Sequence, residues 1–399
     1  MNTAQLRRLA SEVNTPAYVF DLEVFSHRVD RVKAAFGSNT GICYSIKANP
    51  FLLAHLPSSF AKIEVCSPGE LTICEKVGVD MKKVIFSGVN KTAADVARAM
   101  EDGVGVFTAE SKLHLELINQ CATEHRRSVP VLLRLTAGSQ FGMDESVVHE
   151  IIQNREQYPG VRIVGLHYFS GTQKRKIALI EKELDYLLDF IQKVKTKYNF
   201  FLERLEYGTG LAVDYFQENS EQLELERLDA VSHKIREVSE KIDLTVEMGR
   251  FFAAPCGYYF TKVMDTKTNS GVNYAIVDGG LNQLKYDGQI QGMQIPPIQN
   301  LSAERVGDPA KWTICGSLCT TADVLARNVE FRNLGIGDIL VFEKTGAYSV
   351  MEGMALFLSR EMPEVSVFSI PEGLVKHRNI LPTDPFNTPG NVNESEDQF

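Results

Sequence analysis

The sequence has no long apolar run, no signal-peptide core and no stripe of basic residues. No apolar run approaches the ~18 residues that a membrane-spanning helix needs. Residues 1–13 are polar and charged, with Arg7, Arg8 and Glu12 in place of an apolar core, so we expect a cytoplasmic protein. The formal net charge is −9 and the lysines and arginines are not clustered. We therefore expect neither nucleic acid nor a membrane as a partner.

Cysteine is sparse and scattered. The 399 residues include seven cysteines, and no two of them form a Cys-x-x-Cys pair. This pattern excludes a zinc ribbon and a secreted disulfide framework, and we predict no metal site. With 44% apolar and 23% charged residues, the composition is typical of a globular protein of two or three domains.

Eight short apolar runs alternate with helical patterns between about residues 42 and 250. One helical pattern, at 177–198, repeats apolar residues every three or four positions, which predicts an amphipathic helix. The predicted strands are 42–48, 62–67, 83–87, 104–108, 130–136, 162–169, 204–207 and 243–247. This alternation predicts an α/β fold, a (β/α)8 TIM-like barrel over residues 25–255, with an open doubly wound sheet as the alternative.

After about residue 255, strand-like runs follow one another without long helices between them. These runs are 258–265, 273–277, 311–315, 338–343 and 365–369. They predict a C-terminal, mostly antiparallel β domain built from residues 1–24 plus 256–382. We expect the strand-like segment 15–21 to pair with that domain. The polar segment 383–399 is predicted to be a disordered tail.

The first predicted barrel strand carries a lysine near its end. In a barrel, catalytic groups lie at the carboxyl ends of the strands. Strand alternation places Cys43, Ser45 and Lys47 on one face, opposite the apolar face that suits packing against helices. Lys47 is thereby predicted to lie in the barrel mouth. A desolvated lysine there is the type of nucleophile that forms Schiff bases.

The ends of other predicted strands carry groups that suit the binding of an anion and of an aromatic ring. Residues 208–210 read Gly-Thr-Gly, a turn whose backbone N–H groups can close around an anion. Arg250 can add a charged fork to the same anion, and Glu247 lies just before it. A lysine, an anion-binding turn with an arginine, and an acid together suggest pyridoxal 5′-phosphate as cofactor. The lysine suits its aldehyde, the turn and the arginine suit its phosphate, and the acid suits its ring nitrogen.

These segments resemble the fold-type III decarboxylases that depend on pyridoxal phosphate, the family of diaminopimelate, ornithine and arginine decarboxylases. The resemblance runs from residue 15 to about 358, nearly the whole chain. The matching motifs are 44–49 around the lysine, 64–71 (Glu-Val-Cys-Ser-Pro-Gly-Glu-Leu), 247–250 (Glu-Met-Gly-Arg), 316–319 (Gly-Ser-Leu-Cys) and 346–348 (Gly-Ala-Tyr). It implies a barrel with a C-terminal β domain, and a homodimer whose active sites are shared between subunits.

The resemblance also implies roles for individual residues. Lys47 would hold the cofactor as a Schiff base, Glu247 would protonate its ring nitrogen, and Cys319 would donate a proton in the partner subunit's site. The residues that the resemblance assigns to cofactor binding are Lys47, Glu64, Phe169, Thr172, Gly208, Thr209, Gly210, Glu247, Gly249, Arg250 and Tyr348.

The chain departs from the family pattern at three places. Phe169 replaces the second histidine of the usual His-x-His-x-Gly-Ser-Gln segment. Thr320 follows the cysteine, where the family has an acid that recognises a distal amine, and no arginine follows 278–282. Among acids, Asp323 and Glu352 remain as groups that could reach a substrate amine. The departures resemble the branch found in siderophore and antibiotic biosynthesis, which acts on larger or tethered amino-acid substrates.

The predicted function is therefore decarboxylation of an amino acid or an amino-acid conjugate. Three alternatives remain: diaminopimelate decarboxylase proper, an amino-acid racemase of the same fold, and an inactive decarboxylase-like regulator. Racemases of this fold place an arginine near the ring nitrogen, and Glu247 argues against that reading. Loss of Lys47 or Cys319 would favour a regulator, and both are present.

Overall fold

The computed structural model describes residues 1–217, 220–302 and 307–390. The strands of this part of the chain, in order, are β1 (Ala17–Asp21), β2 (Gly41–Ser45), β3 (Lys62–Val65), β4 (Val84–Phe86), β5 (Val106–Ala109), β6 (Val129–Arg134), β7 (Val161–Phe169), β8 (Arg204–Gly208), β9 (Asp243–Met248), β10 (Gly257–Asn269), β11 (Val272–Val277), β12 (Ile298–Asn300), β13 (Pro309–Cys315), β14 (Val324–Arg332), β15 (Ile339–Glu343), β16 (Glu364–Ser369) and β17 (Gly373–Arg378).

The helices lie mainly between the first nine strands. They are α1 (Thr3–Ala10), α2 (Leu22–Phe36), α3 (Pro68–Val77), α4 (Ala93–Glu101), α5 (Lys112–Glu124), α6 (Glu145–Gln153), α7 (Ile177–Tyr198), α8 (Ser220–Ser239), α9 (Arg250–Ala253) and α10 (Asp384–Asn387). Short 3-10 helices occur at Ile46–Ala48, Pro50–His55, Met81–Lys83, Arg155–Gln157, Ala254–Cys256 and Phe357–Ser359. Among the described residues, no helix is both long enough and apolar enough to cross a membrane.

The chain folds as two compact units, and the first is a closed barrel. Residues 26–214 and 220–252 form this barrel unit, in which β2 to β9 follow one another in parallel and β9 pairs again with β2. The predicted (β/α)8 architecture is confirmed, and closure between β9 and β2 excludes the open doubly wound sheet. Each of the eight predicted strands is present, with ends that differ by up to three residues.

Helix α7 shows how the sequence pattern becomes packing. Its buried residues are Ile180, Leu184, Leu187, Phe190 and Val194. The three- and four-residue spacing that predicted the helix is the spacing of this buried stripe. Phe190 belongs to the stripe, and the centroid of its ring lies 5.0 Å from that of His149 of α6. Asn199, with φ of 47°, ends the helix in a left-handed conformation.

The lower part of the barrel interior is apolar. Cys43, Ile85, Val106, Leu132 and Val164, from five different strands, form one buried cluster. Cys43 therefore faces the barrel interior, as alternation along the first strand predicted. This cluster is the floor beneath the polar residues at the carboxyl ends of the strands.

The second unit is a β domain that includes the N-terminal strand. It contains residues 1–25, 215–217 and the described residues from 253 onward. The main path of its nine-stranded sheet is β14-β13-β11-β10-β1-β16-β17, and β15 pairs with both β10 and β12. Most pairs are antiparallel, but β1–β16 and β11–β13 are parallel. The expectation that segment 15–21 pairs with this domain is confirmed, since β1 lies between β10 and β16.

Three strands of the β domain had no counterpart among the sequence predictions. They are β12, β14 and β17. The predicted disordered tail, 383–399, begins in residues that the structure shows as ordered, because α10 covers Asp384–Asn387. The last part of that tail, 391–399, lies outside the described residues.

Candidate active site

Lys47 lies in the short 3-10 turn that directly follows β2. Its Nζ is 2.7 Å from Glu64 Oε2, 3.6 Å from Glu247 Oε1 and 3.5 Å from Cys66 Sγ. Its side chain is 39% exposed. The predicted position at the barrel mouth is therefore correct, but the amine is not desolvated. The carboxylates of Glu64 and Glu247 hold the amine where the lysine side chain is accessible to solvent.

The carboxylates of Glu64 and Glu247 are joined by shared partners. The Ser45 hydroxyl lies 2.7 Å from Glu64 Oε2 and 2.7 Å from Glu247 Oε1, so its single proton serves one of them at a time. His167 Nε2 is 3.1 Å from Glu247 Oε2. One carboxylate oxygen of Glu64, one ring nitrogen of His167 and one carboxylate oxygen of Glu247 all lie within 4.8 Å of one another. Strands β2, β3, β7 and β9 thus converge on one polar cluster.

Electrostatics keep Glu247 ionised. Burial opposes its ionisation, but the Lys47 ammonium and the hydrogen bond and charge of His167 outweigh burial and hold the pKa of Glu247 well below its usual range. In contrast, burial and the charge of Glu64 raise the pKa of the Cys66 thiol well above its usual value. The cluster therefore offers a fixed negative charge at Glu247 and a neutral thiol beside the lysine.

The Gly-Thr-Gly turn after β8 packs tightly against the exit of β7. Gly210 has φ of 59°, and a Cβ there would come within 1.9 Å of the Gly171 carbonyl oxygen. A Cβ at Gly208 would come within 2.5 Å of the Phe169 ring. Only glycine fits at both positions, and Thr209 between them is fully buried. Close packing thus explains both glycines, and the anion binding expected of this turn stays a prediction.

Phe169 and Thr172 both lie on the β7 exit. Phe169 is half-buried and its ring covers Gly208, whereas Thr172 is exposed. Two hydrogen bonds connect this loop to the β8 exit, from the Val213 N–H to Gln173 Oε1 at 2.8 Å and from Gln173 Nε2 to the Val213 carbonyl at 3.2 Å. The two loops therefore form one connected rim.

Gly249 joins the turn that carries Arg250 to the turn that carries Lys47. A Cβ at Gly249 would come within 2.6 Å of Ala48 Cβ and 3.0 Å of the Ser45 carbonyl oxygen. Arg250 is the first residue of α9 and is half-buried. The structure thus brings Lys47, Glu64 and Glu247 into direct contact. It places Gly249 and Arg250 at the end of the adjacent strand β9.

The remaining predicted site residues lie in the β domain. Cys319 is exposed and Thr320 is half-buried, on the loop between β13 and β14. Asp323 is 2% exposed and accepts hydrogen bonds from two backbone N–H groups, those of Leu281 at 2.8 Å and Leu318 at 2.8 Å. Both carboxylate oxygens of Asp323 therefore anchor the loop, and the substrate contact expected of it stays a prediction.

Tyr348 lies on a turn that also requires close backbone packing. It has φ of 66° and is half-buried. The preceding Gly346 allows no side chain, because a Cβ there would come within 1.9 Å of the Ala253 carbonyl oxygen. The Gly-Ala-Tyr motif thus combines a close backbone approach at Gly346 with a left-handed backbone at Tyr348.

Sequence reasoning did not assign roles to Ser45, Cys66 and His167, although all three contact the polar cluster. Ser45 shares its strand face with Lys47, so alternation was a usable signal. His167 lies on the same strand as Phe169 and two residues before it, so both side chains are on one face. Cys66 lies within the second matched motif, but nothing in its spacing pointed to contact with Lys47.

Comparison with known proteins gives one consistent family. Residues 22–254 match the family described as pyridoxal-dependent decarboxylase, pyridoxal binding domain. The chain is 26% identical over 393 residues to the L-glutamyl-(BtrI acyl-carrier protein) decarboxylase of Niallia circulans, covering 91% of each chain. It is 28% identical over 379 residues to the 2-((L-alanin-3-ylcarbamoyl)methyl)-2-hydroxybutanedioate decarboxylase of Staphylococcus aureus, covering 87% of this chain and 92% of the relative.

Diaminopimelate decarboxylases are similar to this chain to a comparable extent. The structure of the diaminopimelate decarboxylase of Methanocaldococcus jannaschii with L-lysine superposes with a TM-score of 0.82. That match has 24% identity and covers 94% of this chain and 92% of the other, and it supports the fold.

The barrel residues fit pyridoxal phosphate. The aldehyde needs an accessible amine, which Lys47 offers at the mouth. The phosphate needs backbone N–H groups and a basic group, which residues 208–210 and Arg250 can offer at the ends of β8 and β9. The ring nitrogen needs a carboxylate that stays ionised, which the surroundings of Glu247 provide.

Proposed function

The chain belongs to the pyridoxal-dependent decarboxylases and is a pyridoxal phosphate-dependent carboxy-lyase, and from this premise we propose that it decarboxylates an amino acid or an amino-acid conjugate. In this proposal Lys47 is the Schiff-base lysine, and Cys319 of the partner subunit donates the proton. The observation that carries the proposal is the Lys47 amine, held 2.7 Å from Glu64 and 3.6 Å from Glu247 at the barrel mouth. The cytoplasmic location expected from the sequence stays a prediction.

Each group of the barrel site has a separate task. Pyridoxal phosphate, when bound, supplies a conjugated ring that withdraws the electron pair left by departing CO2. Lys47 holds the aldehyde, and the glycines of 208–210 with Arg250 hold the phosphate. Glu247 keeps the proton on the ring nitrogen, because its own charge is fixed by Lys47 and His167. Phe169 offers an aromatic face for the ring but no hydrogen bond.

Two features of the β domain support a shared site in a homodimer. The Cys319 thiol is exposed on a loop that Asp323 anchors from below, which suits its presentation to another subunit. In the same domain, the segment after Tyr348 exposes several large apolar side chains. They are Met351, Met354, Leu356, Phe357 and Leu358. An apolar stretch of this kind on a folded chain is typical of a surface that another protein covers.

Mixing two inactive variants tests the shared site. We expect Lys47→Ala and Cys319→Ala proteins to be nearly inactive alone. After random subunit exchange, about a quarter of wild-type activity should return, because half of the dimers are mixed and each mixed dimer has one intact site of two. The measurement is CO2 release after mixing, with exchange verified by a tag on one variant.

A cysteine elsewhere in the same domain gives the matched control. Cys315→Ala leaves the Cys319 thiol in place, so its mixture with Lys47→Ala should keep about half of wild-type activity. If exchange is complete and the Cys319→Ala mixture stays inactive, each chain builds its own site and the shared-site proposal is wrong.

We also propose that the substrate carries no free ammonium at its distal end. The family's acid for that amine is replaced by Thr320, whose Oγ1 lies 3.3 Å from the Ala322 N–H. Asp323 is occupied by backbone donors, and Glu352 pairs with Lys285 at 2.8 Å. The Niallia relative acts on a glutamyl group on a carrier protein and the Staphylococcus relative on an amide conjugate, as their names state. A substrate whose distal end is a carboxylate, an amide or a carrier-linked chain therefore suits this site better than a diamino acid.

A substrate panel tests this proposal. Without a charge-assisted hydrogen bond worth about 1.5–3 kcal/mol, lysine, ornithine and diaminopimelate should be disfavoured by about 10- to 100-fold. We expect kcat/KM to be higher for glutamate, aspartate or amide-linked conjugates. Thr320→Asp should raise kcat/KM for lysine, ornithine and diaminopimelate. Thr321→Asp, at the exposed neighbouring position, should not. If lysine, ornithine or diaminopimelate is the best wild-type substrate by tenfold, the result favours diaminopimelate decarboxylase or a related activity instead.

A further inference from the structure

A third carboxyl group lies inside the barrel, below the Lys47 site. Glu206 is on β8 and is 2% exposed. Within the described residues, neither of its carboxyl oxygens has a hydrogen-bond partner. In the sheet register, Glu206 is opposite His167 of β7 and Thr245 of β9, whereas Gly208 is opposite Glu247. Glu206 therefore lies one side-chain layer closer to the amino ends of the strands than Glu247.

The surroundings of Glu206 offer little that would stabilise a charge. Strands β4, β5 and β6 contribute only apolar side chains to the barrel floor, those of Ile85, Val106 and Leu132. The titratable or charged groups around it are Cys43 of β2, Lys47 just after β2, Lys62 and Glu64 of β3, His167 of β7, Arg204 of its own strand β8, and Asp243 and Glu247 of β9.

These neighbours favour the neutral acid. Burial raises the pKa of Glu206 well above its ordinary value, and the negative charges of Glu247 and Glu64 raise it further. Lys62 and Lys47 act in the opposite direction, and burial outweighs them. The barrel thus holds three carboxyl groups near one lysine amine and one imidazole. Keeping Glu206 protonated removes one of the three negative charges.

A cavity leads from Glu206 to the amino-end face of the barrel. Its volume is about 130 Å³, and its walls include Glu206, Ile85 and Leu132. Lys62, Arg204 and Asp243 also line it. This volume admits several water molecules. The cavity therefore gives the Glu206 carboxyl a route for proton exchange on the face opposite the mouth where Lys47 lies.

We propose that Glu206 is a proton-holding acid that exchanges with solvent through this cavity, and a positioning residue that sets the charge balance beneath Glu247. The exchange is Glu206–COOH plus water giving Glu206–COO⁻ and H3O⁺, so it needs no other reactant. While protonated, Glu206 leaves Glu247 as the carboxylate that would hold the proton on the ring nitrogen. When ionised at alkaline pH, it adds a further negative charge to this cluster and makes nearby protons harder to remove. This last effect rests on the proposed function, because it concerns the bound cofactor.

The protonation state is tested on the protein without cofactor. The variant is Glu206→Gln, and the matched control is Glu203→Gln, an exposed glutamate just before β8. A carboxyl whose native pKa is raised stabilises the fold fully below its unfolded value of about 4.3, and this stability is lost as pH rises towards the native value. Glu206→Gln removes that loss. Relative to wild type, its folding equilibrium constant should rise between pH 5 and pH 8 by up to about tenfold per pH unit.

Infrared spectroscopy supplies a second measurement. At pH 7, wild type and Glu203→Gln should show the carbonyl stretch of a protonated carboxyl group that Glu206→Gln lacks, and the band should shift in D2O as the cavity permits exchange. If Glu206→Gln does not fold, Glu206→Met replaces it in both measurements. A stability difference that does not change with pH, together with no missing band, would overturn the neutral acid. Neither measurement requires activity, so this failure would leave the decarboxylase proposal untouched.

The link to Glu247 is read from the absorbance of the cofactor-loaded protein. Wild type and Glu206→Gln should have the same spectrum near pH 7. In the alkaline range, the variant should lose its cofactor proton at lower pH than wild type and Glu203→Gln, because no further negative charge develops at position 206. A purely structural role would change stability without moving this titration. Coincident titrations of wild type and Glu206→Gln would overturn the positioning role.

Discussion

Replacing Lys47 with alanine is expected to abolish covalent attachment of pyridoxal phosphate and to slow decarboxylation by about a thousandfold or more. The physical reason is specific to the place of this amine. It is the lysine that the structure holds against both Glu64 and Glu247, at the end of the strand that begins the barrel. Without it, the aldehyde loses the amine that these two carboxylates hold, while residues 208–210, which we propose to hold the phosphate, are unchanged.

The measurement combines borohydride reduction with peptide mass analysis. Reduced wild-type protein should carry the cofactor mass on Lys47, and Lys47→Ala should carry none. Lys62→Ala, a lysine substitution on the adjacent strand β3, should behave as wild type. Continued trapping in Lys47→Ala would reassign the attachment. Lys91 would then be the first candidate, because it is 5% exposed and burial lowers its pKa to about 8.

Replacing Glu247 with glutamine is expected to slow decarboxylation by about 100-fold or more while pyridoxal phosphate stays bound. Glutamine keeps the shape but removes the fixed charge that holds a proton on the ring nitrogen. That charge matters more when CO2 departs than when substrate binds, so kcat should fall more than KM changes. Cofactor content by absorbance and kcat with the best panel substrate are the two measurements. Unchanged kcat at full cofactor content would reject the assigned role.

The same variant has a predicted effect on the stability of the protein without cofactor. Burial opposes ionisation of Glu247, but Lys47 and His167 outweigh it, so the native pKa is depressed. A depressed pKa contributes stability above the unfolded value of about 4.3, and this stability is lost as pH falls through the native value. Glu247→Gln should therefore be less stable than wild type at pH 7, with a smaller difference in acid. Glu240→Gln, at an exposed position, is the control.

The barrel was predictable from the sequence because its strands are buried on both faces. Such strands read as continuous apolar runs, and the helices between them bury a regular stripe. The three strands that were missed are all at margins of the β sheet: β14 and β17 end its main path, and among the described strands β12 pairs with β15 alone. A marginal strand keeps exposed polar positions, as in β17, where Lys376 is one of several. No apolar run then marks it.

The motifs located the lysine, the glycine turn and Glu247, but they did not show which neighbours meet across strands. Contact between His167 and Glu247 depends on the lateral register of β7, β8 and β9. Register is set by the closed sheet, and an irregularity between β6 and β7 at Val131 and Leu132 shifts it further. Glu206 was missed for the same reason, since a glutamate within a strand gives no sign of which side chains surround it.

The place of β1 in its sheet bears on how the chain is made. This strand pairs in parallel with β16, and Asn14 just before it hydrogen-bonds to Glu364, 350 residues further along the chain. At about 5–20 residues per second, a ribosome needs about 20–70 s to make the partner after the strand has emerged. The barrel, residues 26–214 and 220–252, is synthesised within that interval and can fold as it emerges. The β domain has to wait, with its N-terminal strand unpaired, so its assembly is the step of biogenesis most open to chaperones and to aggregation.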